Sequence, residues 1–409
     1  MSKRKIKKSI KKIFLFILLI GIVISGTICY KKFFKPKNLP IIKEIPPEIW
    51  PKVYKASMLA TGDSLLHKPI LNEAYNKETD KYDFKYIFNP IKDYINKFDI
   101  KYYNQESVFG GKEFGFSSYP LFNSPSDFGD NMVDLGFNLV SLASNHSADC
   151  KKNAETCIKN SYNYWATKNV TFDGFNEDET MENKHNIGEK NGITYGFLNY
   201  TNTLNGLDSY IKNKYIIDLY DEERVKEEVT ALRDKVDVLI VAMHWHKNSP
   251  EYSFNPTSSN KEIARYLDSL GVDIILGTYS HCLQPYEFLE NGALVFYSLG
   301  NLVSNQIYLN NSGYHPYVGA IGMLATLDIT KTVYEDGTKE IKIDNLGAEL
   351  IICNSKKWLY GYEIIPFSQI DSSKLSNYES IYKEYTSYVL KLDDESLKFV
   401  PLKEKPLVE

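Results

Sequence analysis

The sequence predicts an α/β domain with a mostly parallel central sheet, preceded by one membrane-crossing helix. Short apolar runs alternate with segments of helical period, the pattern of strands joined by helices. Polar residues able to bind metal stand where those runs end. Near the N-terminus, Ile13 to Tyr30 form eighteen residues without a charge, directly after a basic tail.

At about 1.5 Å per residue, that uncharged stretch nearly spans a hydrocarbon core of roughly 30 Å. It exceeds the roughly 7–15-residue apolar region of a cleaved signal peptide. No small-x-small cleavage site is evident, and Ile28 precedes Cys29 where a lipoprotein has a small residue. Residues 13–32 therefore read as a retained anchor. The tail, residues 1–12, holds Lys3, Arg4, Lys5, Lys7, Lys8, Lys11 and Lys12 and stays cytoplasmic by the positive-inside bias, which places the main domain outside. Residues 33–55 carry Pro36, Pro40, Pro46, Pro47 and Pro51 and read as a stiff tether.

The chain has 409 residues, 43% hydrophobic and 24% charged, enough to bury a large core. The overall charge is −4, so the chain beyond its seven-cation tail carries −11. Such a body has no bulk means of neutralising phosphates, which argues against nucleic acid as a partner. Cysteine use is modest, at five. Cys150 and Cys157 would lie about 10.5 Å apart along one helix, beyond bridging range, so a disulfide requires Cys150 to lie off the helix. Buried or free thiols are the expectation. No cysteine pair has zinc-knuckle spacing.

The predicted strands are Ala56–Thr61, Asn138–Ala143, Ile193–Asn199, Val236–His244, Val272–Gly277 and Ala293–Tyr297. One helix starts at Asp221 and aligns Val225, Val229 and Leu232. Another starts at a capping box, Ser259-x-x-Glu262, and stops at Gly271. The main domain covers residues 56–330. Residues 331–370 extend it with short β-like runs and a turn at Asp336-Gly337. Residues 371–409 form a terminal helix and a frayed tail.

Five strand ends carry donors. The first leads into Gly62-Asp63, with His67 close behind. Asn104-x-Glu106 follows the run Ile100–Tyr103. Next come Asn145-His146 with Asp149, then His244-Trp245-His246, then Gly277 to His281. Mixed imidazole and carboxylate suit zinc, iron or manganese, and a carboxylate can bridge two ions. Each piece alone has a plainer reading. Gly-Asp after a strand is commonly an Asx turn, a lone His67 is commonly just hydrogen-bonded, and Asn104 and Glu106 alone are most simply solvated. His185 and His315 sit in polar loop patterns and take no role.

The order of these pieces, closed by Tyr297-Ser298-Leu299-Gly300-Asn301, resembles the CapA-type poly-gamma-glutamate capsule synthesis proteins over about residues 56–367. That family belongs to the wider calcineurin-like metallophosphoesterase fold. The resemblance implies a layered α/β/β/α sandwich and a divalent-metal site of two ions, Mn, Fe or Zn. It implies that Asp63, His67 and His281 hold one ion, Glu106 bridges, and Asn145 and His244 hold the other. His146 would be the general acid, and Asn301 a strand-end support. His67 stands farther from Asp63 than the usual Asp-x-His spacing.

Two departures bear on the second ion. Tyr279-Ser280-His281 stands where the family has His-Pro-His, and a phenol is a poor ligand at neutral pH. His246 follows where the family has glycine. If the strand continues, His246 shares a face with His244 and is a substitute ligand; otherwise it is a surface residue of a longer loop. By resemblance the protein is either a metal-dependent hydrolase or a non-catalytic polymer-binding or assembly subunit. The expected partners are an anionic surface polymer, other membrane-bound capsule synthesis proteins, and the membrane itself.

Overall fold

The computed structural model describes residues 3–33, 50–180, 185–245, 249–306, 315–355, 361–393 and 395–399. The chain divides into two units, residues 1–49 and 50–409. In the first, one helix (α1, Lys3–Phe33) runs through both the basic tail and the apolar stretch. Among the described residues it alone is long and apolar enough to cross a membrane. Most of the predicted Pro-rich tether, residues 34–49, lies outside the described residues, as do the last residues of the C-terminal tail, 400–409.

The second unit is a sandwich of two sheets. The first sheet contains Lys52–Ser64 (β1), Ile100–Gln105 (β2), Leu139–Ser141 (β3) and Thr171–Asp173 (β4), all parallel neighbours. The second contains Ile187–Lys190 (β5), Ile193–Thr201 (β6), Val238–His244 (β7), Ile274–Thr278 (β8), Tyr286–Phe288 (β9) and Leu294–Phe296 (β10), in the order β9-β10-β8-β7-β6-β5. Asn301–Val303 (β11) returns to pair with β1. Ile321–Val333 (β12), Lys339–Ser355 (β13) and Tyr362–Pro366 (β14) then extend the first sheet antiparallel from β1.

Strand–helix alternation alone predicts a mostly parallel central sheet; the chain builds two mixed sheets, the layered sandwich that the resemblance implies. The period of two along each strand explains why. Met58 and Ala60 point to the core between the sheets, with Ile240 and Ala242 from the facing sheet, while Leu59 points the other way. Leu239, Val241 and Met243 likewise face outward. Each strand thus supplies two cores, and helices must cover both outer faces.

Lys68–Ala74 (α2), Asp127–Asp134 (α3) and Ala154–Ala166 (α4) cover the first sheet. Glu222–Arg233 (α5) and Ser258–Ser269 (α6) cover the second through Val225, Val229, Leu232, Ile263 and Leu267. The layers are therefore α/β/β/α. Asp221 caps α5 by accepting from the Arg224 N–H. The start of α6 differs from the expected box at Ser259: Thr257 is the cap, accepting from the Asn260 N–H at 3.2 Å, so the helix begins earlier. A C-terminal helix (α7, Tyr378–Val389) packs Ile381, Tyr385 and Val389 on the inter-sheet core.

All six predicted strands are present with shifted ends; β1 starts at Lys52 rather than Ala56. The short β-like runs expected after Leu324 are two long strands, β12 and β13, turning where Asp336-Gly337 was expected. The cysteine expectation is corrected. Cys150 and Cys157 form a disulfide, because a 3₁₀ turn at Lys151–Asn153 takes Cys150 off α4 and brings the Cα atoms to 6.4 Å.

Candidate metal centre

The parallel registers place the donors. Asp63 on β1 stands opposite Asn104 on β2 and Asn301 on β11. Asn104 stands opposite Ser141 on β3, and His244 at the end of β7 opposite Thr278 on β8. All of these except Asn301, which opens β11, lie at or beside the carboxyl ends of their strands. Gly62 makes the convergence possible, since a Cβ there would sit 1.8 Å from the Gly300 carbonyl oxygen. The Asp63 N–H donates to that same oxygen at 2.9 Å.

Asp63, Glu106 and His281 form a buried group whose ligand atoms lie within 4.8 Å of one another. His281 Nδ1 lies 3.1 Å from both Asp63 Oδ2 and Asn301 Oδ1. His281 Nε2 lies 3.7 Å and His244 Nε2 3.8 Å from Glu106 Oε1, so this carboxylate sits between two imidazoles. Asn145 Oδ1 is 2.8 Å from His244 Nε2, and Thr278 Oγ1 is 2.8 Å from His244 Nδ1. The turn presenting His281 is strained: Tyr279 and His281 have φ of 95° and 57°, conformations costing roughly 1–3 kcal/mol each outside glycine.

His146 lies beside this group in its own network. Its Nδ1 is 2.7 Å from Asp149 Oδ2, which also accepts the Phe122 N–H at 2.6 Å. The Phe122 ring stands edge-on to both His146 and His67. His67 is buried at the start of α2 and receives the Asn305 N–H on Nδ1 at 3.2 Å. It is outside the three-residue group above. His246 lies outside the described residues. Tyr279 is buried, its ring 5.5 Å from that of His244 and 6.1 Å from that of His281, and its N–H donates to Asp63 Oδ2.

The charges here depart from their ordinary values. Burial pushes the Glu106 carboxyl well above the usual carboxylate range; His281 opposes this and Asp63 adds to it. Burial would also raise Asp63, but its bond to His281 and the charges of His281 and His244 outweigh that and lower it. Burial would lower His281, yet Glu106 and Asp63 raise it to about 10. Burial dominates at His67 and takes it down to about 4, so that ring stays neutral.

The chemistry of this set fits a cation. Both Glu106 carboxylate oxygens are buried without a hydrogen-bond partner. An unpaired buried carboxylate costs several kcal/mol unless a positive charge meets it. Carboxylate, carboxylate and imidazole are the donors that zinc, iron and manganese accept. The Asn301 and Thr278 contacts would fix the rings of His281 and His244, as supporting residues do for metal-binding histidines.

Sequence reasoning passed over three supporting residues. Thr278, Ser141 and Phe122 orient His244, Asn104 and Asp149 respectively. Thr278 and Ser141 stand at strand ends, and that position was the available signal; Phe122 gave none, because its N–H does the work.

A sequence profile described as "Bacterial capsule synthesis protein PGA_cap" matches residues 57–306. The chain is 28% identical over 167 residues to the PGA biosynthesis protein CapA of Bacillus subtilis (strain 168), a match covering 40% of this chain and 42% of that protein. It is 34% identical over 74 residues to the capsule biosynthesis protein CapA of Bacillus anthracis, covering 18% of this chain and 17% of that one. The matches thus span less than half the length of these relatives. Among solved structures, a phosphatase from Mycoplasma pneumoniae aligns with 75% of this chain and 97% of its own at TM-score 0.43 and 16% identity. The NAD nucleotidase of Haemophilus influenzae aligns with 85% of this chain and 64% of its own at TM-score 0.40 and 13% identity. With more than half its length matched by the profile, the chain belongs to the bacterial capsule synthesis protein family PGA_cap.

Proposed function

We propose that this protein is an anchored extracytoplasmic component of surface-polymer synthesis, of the poly-gamma-glutamate type, whose strand-end centre hydrolyses or transfers a phosphoester or polymer linkage using two divalent ions. The observation that carries the proposal is Glu106, buried with both oxygens unpartnered and flanked by His244 and His281. The single apolar helix and the Cys150–Cys157 disulfide support an anchored domain in an oxidising compartment. The basic tail would remain in the cytoplasm. Other membrane-bound synthesis proteins and the anionic polymer are the proposed partners.

Asp63 and His281 would hold one ion, with His67 as the further ligand the family pattern implies. Glu106 would be shared, and Asn145 and His244 would hold the second ion, with His246 as substitute ligand. Bound divalent ions lower the pKa of attached water to near 7 and offset charge on the attacking and leaving oxygens. The chain supplies the proton. Asp149 holds His146 through Nδ1, which leaves Nε2 to protonate a leaving oxygen.

Tyr279 favours a second reading. It fills the space beside both imidazoles without a good ligand atom, as a non-catalytic polymer-binding subunit would tolerate. Metal analysis of the purified chain, with hydrolysis of a model phosphodiester, separates the two. Two ions and turnover in the wild type, both lost in Glu106→Gln, are expected. A metal-free wild type that still binds polymer would sink the catalytic reading and leave the second.

A further inference from the structure

A second cleft stands on the loop that leaves the centre at Glu106 and returns at Phe122. Its volume is about 390 Å³, inside the roughly 300–1,000 Å³ range of small-molecule sites. The two-stranded hairpin Tyr75–Asn76 and Lys81–Tyr82 forms one wall, and Phe116 from the loop faces it. The Tyr75 and Tyr82 ring centres are 5.1 Å apart, and Phe116 meets Tyr82 edge-on at 5.5 Å. Tyr75 is exposed, and Tyr82 and Phe116 are half-buried. Tyr119, three residues beyond Phe116, is 71% exposed.

The walls are built to stay put. The Tyr75 hydroxyl donates to Asp80, and Asn76 Oδ1 accepts the N–H groups of Glu78 and Thr79 within the turn. Buried Asn123 accepts the Gly110 N–H and donates to the carbonyls of Gly111 and Gly115, pinning the opposite loop. Tyr82 stacks parallel to Phe84, which packs on Phe128 in the core. A preformed cleft keeps the ordering cost of binding low.

Its charge selects the occupant. Lys112 pairs with Asp80, and Asp127 accepts the Tyr82 N–H, so the cleft carries a net negative charge. A polyanion is repelled there. A neutral polyhydroxylated ring is not: its C–H face lies on the exposed ring of Tyr75, which Tyr82 and Phe116 back, and its hydroxyls donate to Asp80 and Asp127. We infer that this cleft binds a neutral pyranose unit of a glycan, independently of the metal centre. It would hold the protein on a saccharide surface while the centre acts on something else.

The test uses the full chain in a zwitterionic phosphocholine detergent, which carries no sugar headgroup. Chitotetraose and cellotetraose are titrated by calorimetry, with saturation-transfer NMR to locate the bound ring protons. Saturable binding of at least one, weakened about tenfold in Tyr75→Ala and in Phe116→Ala, is expected; tenfold corresponds to about 1.4 kcal/mol. Tyr75 is exposed, so Tyr75→Ala folds normally and keeps the test valid if Phe116→Ala does not. Binding of neither oligosaccharide, or binding unchanged in Tyr75→Ala, would overturn the inference. So would a glutamate oligomer that competes at this cleft.

Discussion

Asp237 and Glu106 are both buried carboxylates of the same sandwich, at opposite ends of its strands, and only one of them is satisfied. Asp237 precedes β7. It accepts the Thr194 N–H and hydroxyl at 2.9 Å, Lys331 Nζ at 2.7 Å and Lys339 Nζ at 3.0 Å. Asp99, before β2, accepts the N–H and hydroxyl of Ser57; Asp273, before β8, accepts the Leu239 N–H and Arg233. Lys331 belongs to β12 of the first sheet, so its pair with Asp237 ties the two sheets together. At the carboxyl ends, Glu106 has no such donors. One end spends its charges on holding the sandwich closed. The other leaves them available to an incoming cation.

Removing the satisfied charge should cost most. Asp237→Asn leaves Lys331 nearly buried and opposite a neutral group, for a loss of about 3–5 kcal/mol in urea unfolding at pH 7. Burial would raise the Asp237 carboxyl, but its bonds to Lys331, Thr194 and Lys339 prevail and hold it below the usual carboxylate range. A lowered carboxyl contributes stability above its unfolded pKa of about 3.9 and loses it as pH falls toward the folded value. The wild type should therefore weaken below about pH 4 more steeply than Asp237→Asn. Equal acid limbs would mean that the strap between the sheets is not electrostatic.

The centre's end has a covalent strap instead. Cys150 follows Asp149, and its bond to Cys157 pins the Asn145–Asp149 loop onto α4. Closing a loop of this length is worth about 2–3 kcal/mol on the chain-entropy account. The Cys150→Ser, Cys157→Ser double variant should lose about that much. Amide exchange in residues 145–153 should rise before exchange in the strands does. Unchanged protection there would mean that Asp149 alone, through Phe122 and His146, fixes the loop.

What the sequence made legible followed from period and position. Strand runs such as Ile193–Asn199 and the Val225, Val229, Leu232 helix face depend on local alternation, and both are present. Donors at strand ends are legible for the same reason: the end of a parallel strand is a place, and Asp63, Asn104 and His244 occupy such places. Partnering across the chain is not local. That Thr257 rather than Ser259 caps α6 turns on one hydroxyl's reach. The disulfide turned on a 3₁₀ turn that nothing in Lys151–Asn153 announces. The two-sheet sandwich was legible only through the family resemblance: local alternation permits Met58 and Leu59 to face different cores but does not demand it.

The smallest effect should have the opposite sign. Glu106→Gln removes a buried carboxylate that no hydrogen bond satisfies, so the metal-free variant should be more stable than the wild type by about 1–2 kcal/mol at pH 7. The pH dependence fixes the cause. Burial raises the Glu106 carboxyl above its unfolded value, so ionising it costs stability as pH rises past about 4.3. The metal-free wild type should therefore lose ground to Glu106→Gln progressively as pH rises past about 4.3. Adding a divalent ion at 100 times its Kd should then restore about 2.7 kcal/mol to the wild type and nothing to the variant, so their order reverses. If Glu106→Gln is less stable than the metal-free wild type at pH 7, then Glu106 is a satisfied structural carboxylate like Asp237. The contrast between the two strand ends would fail there.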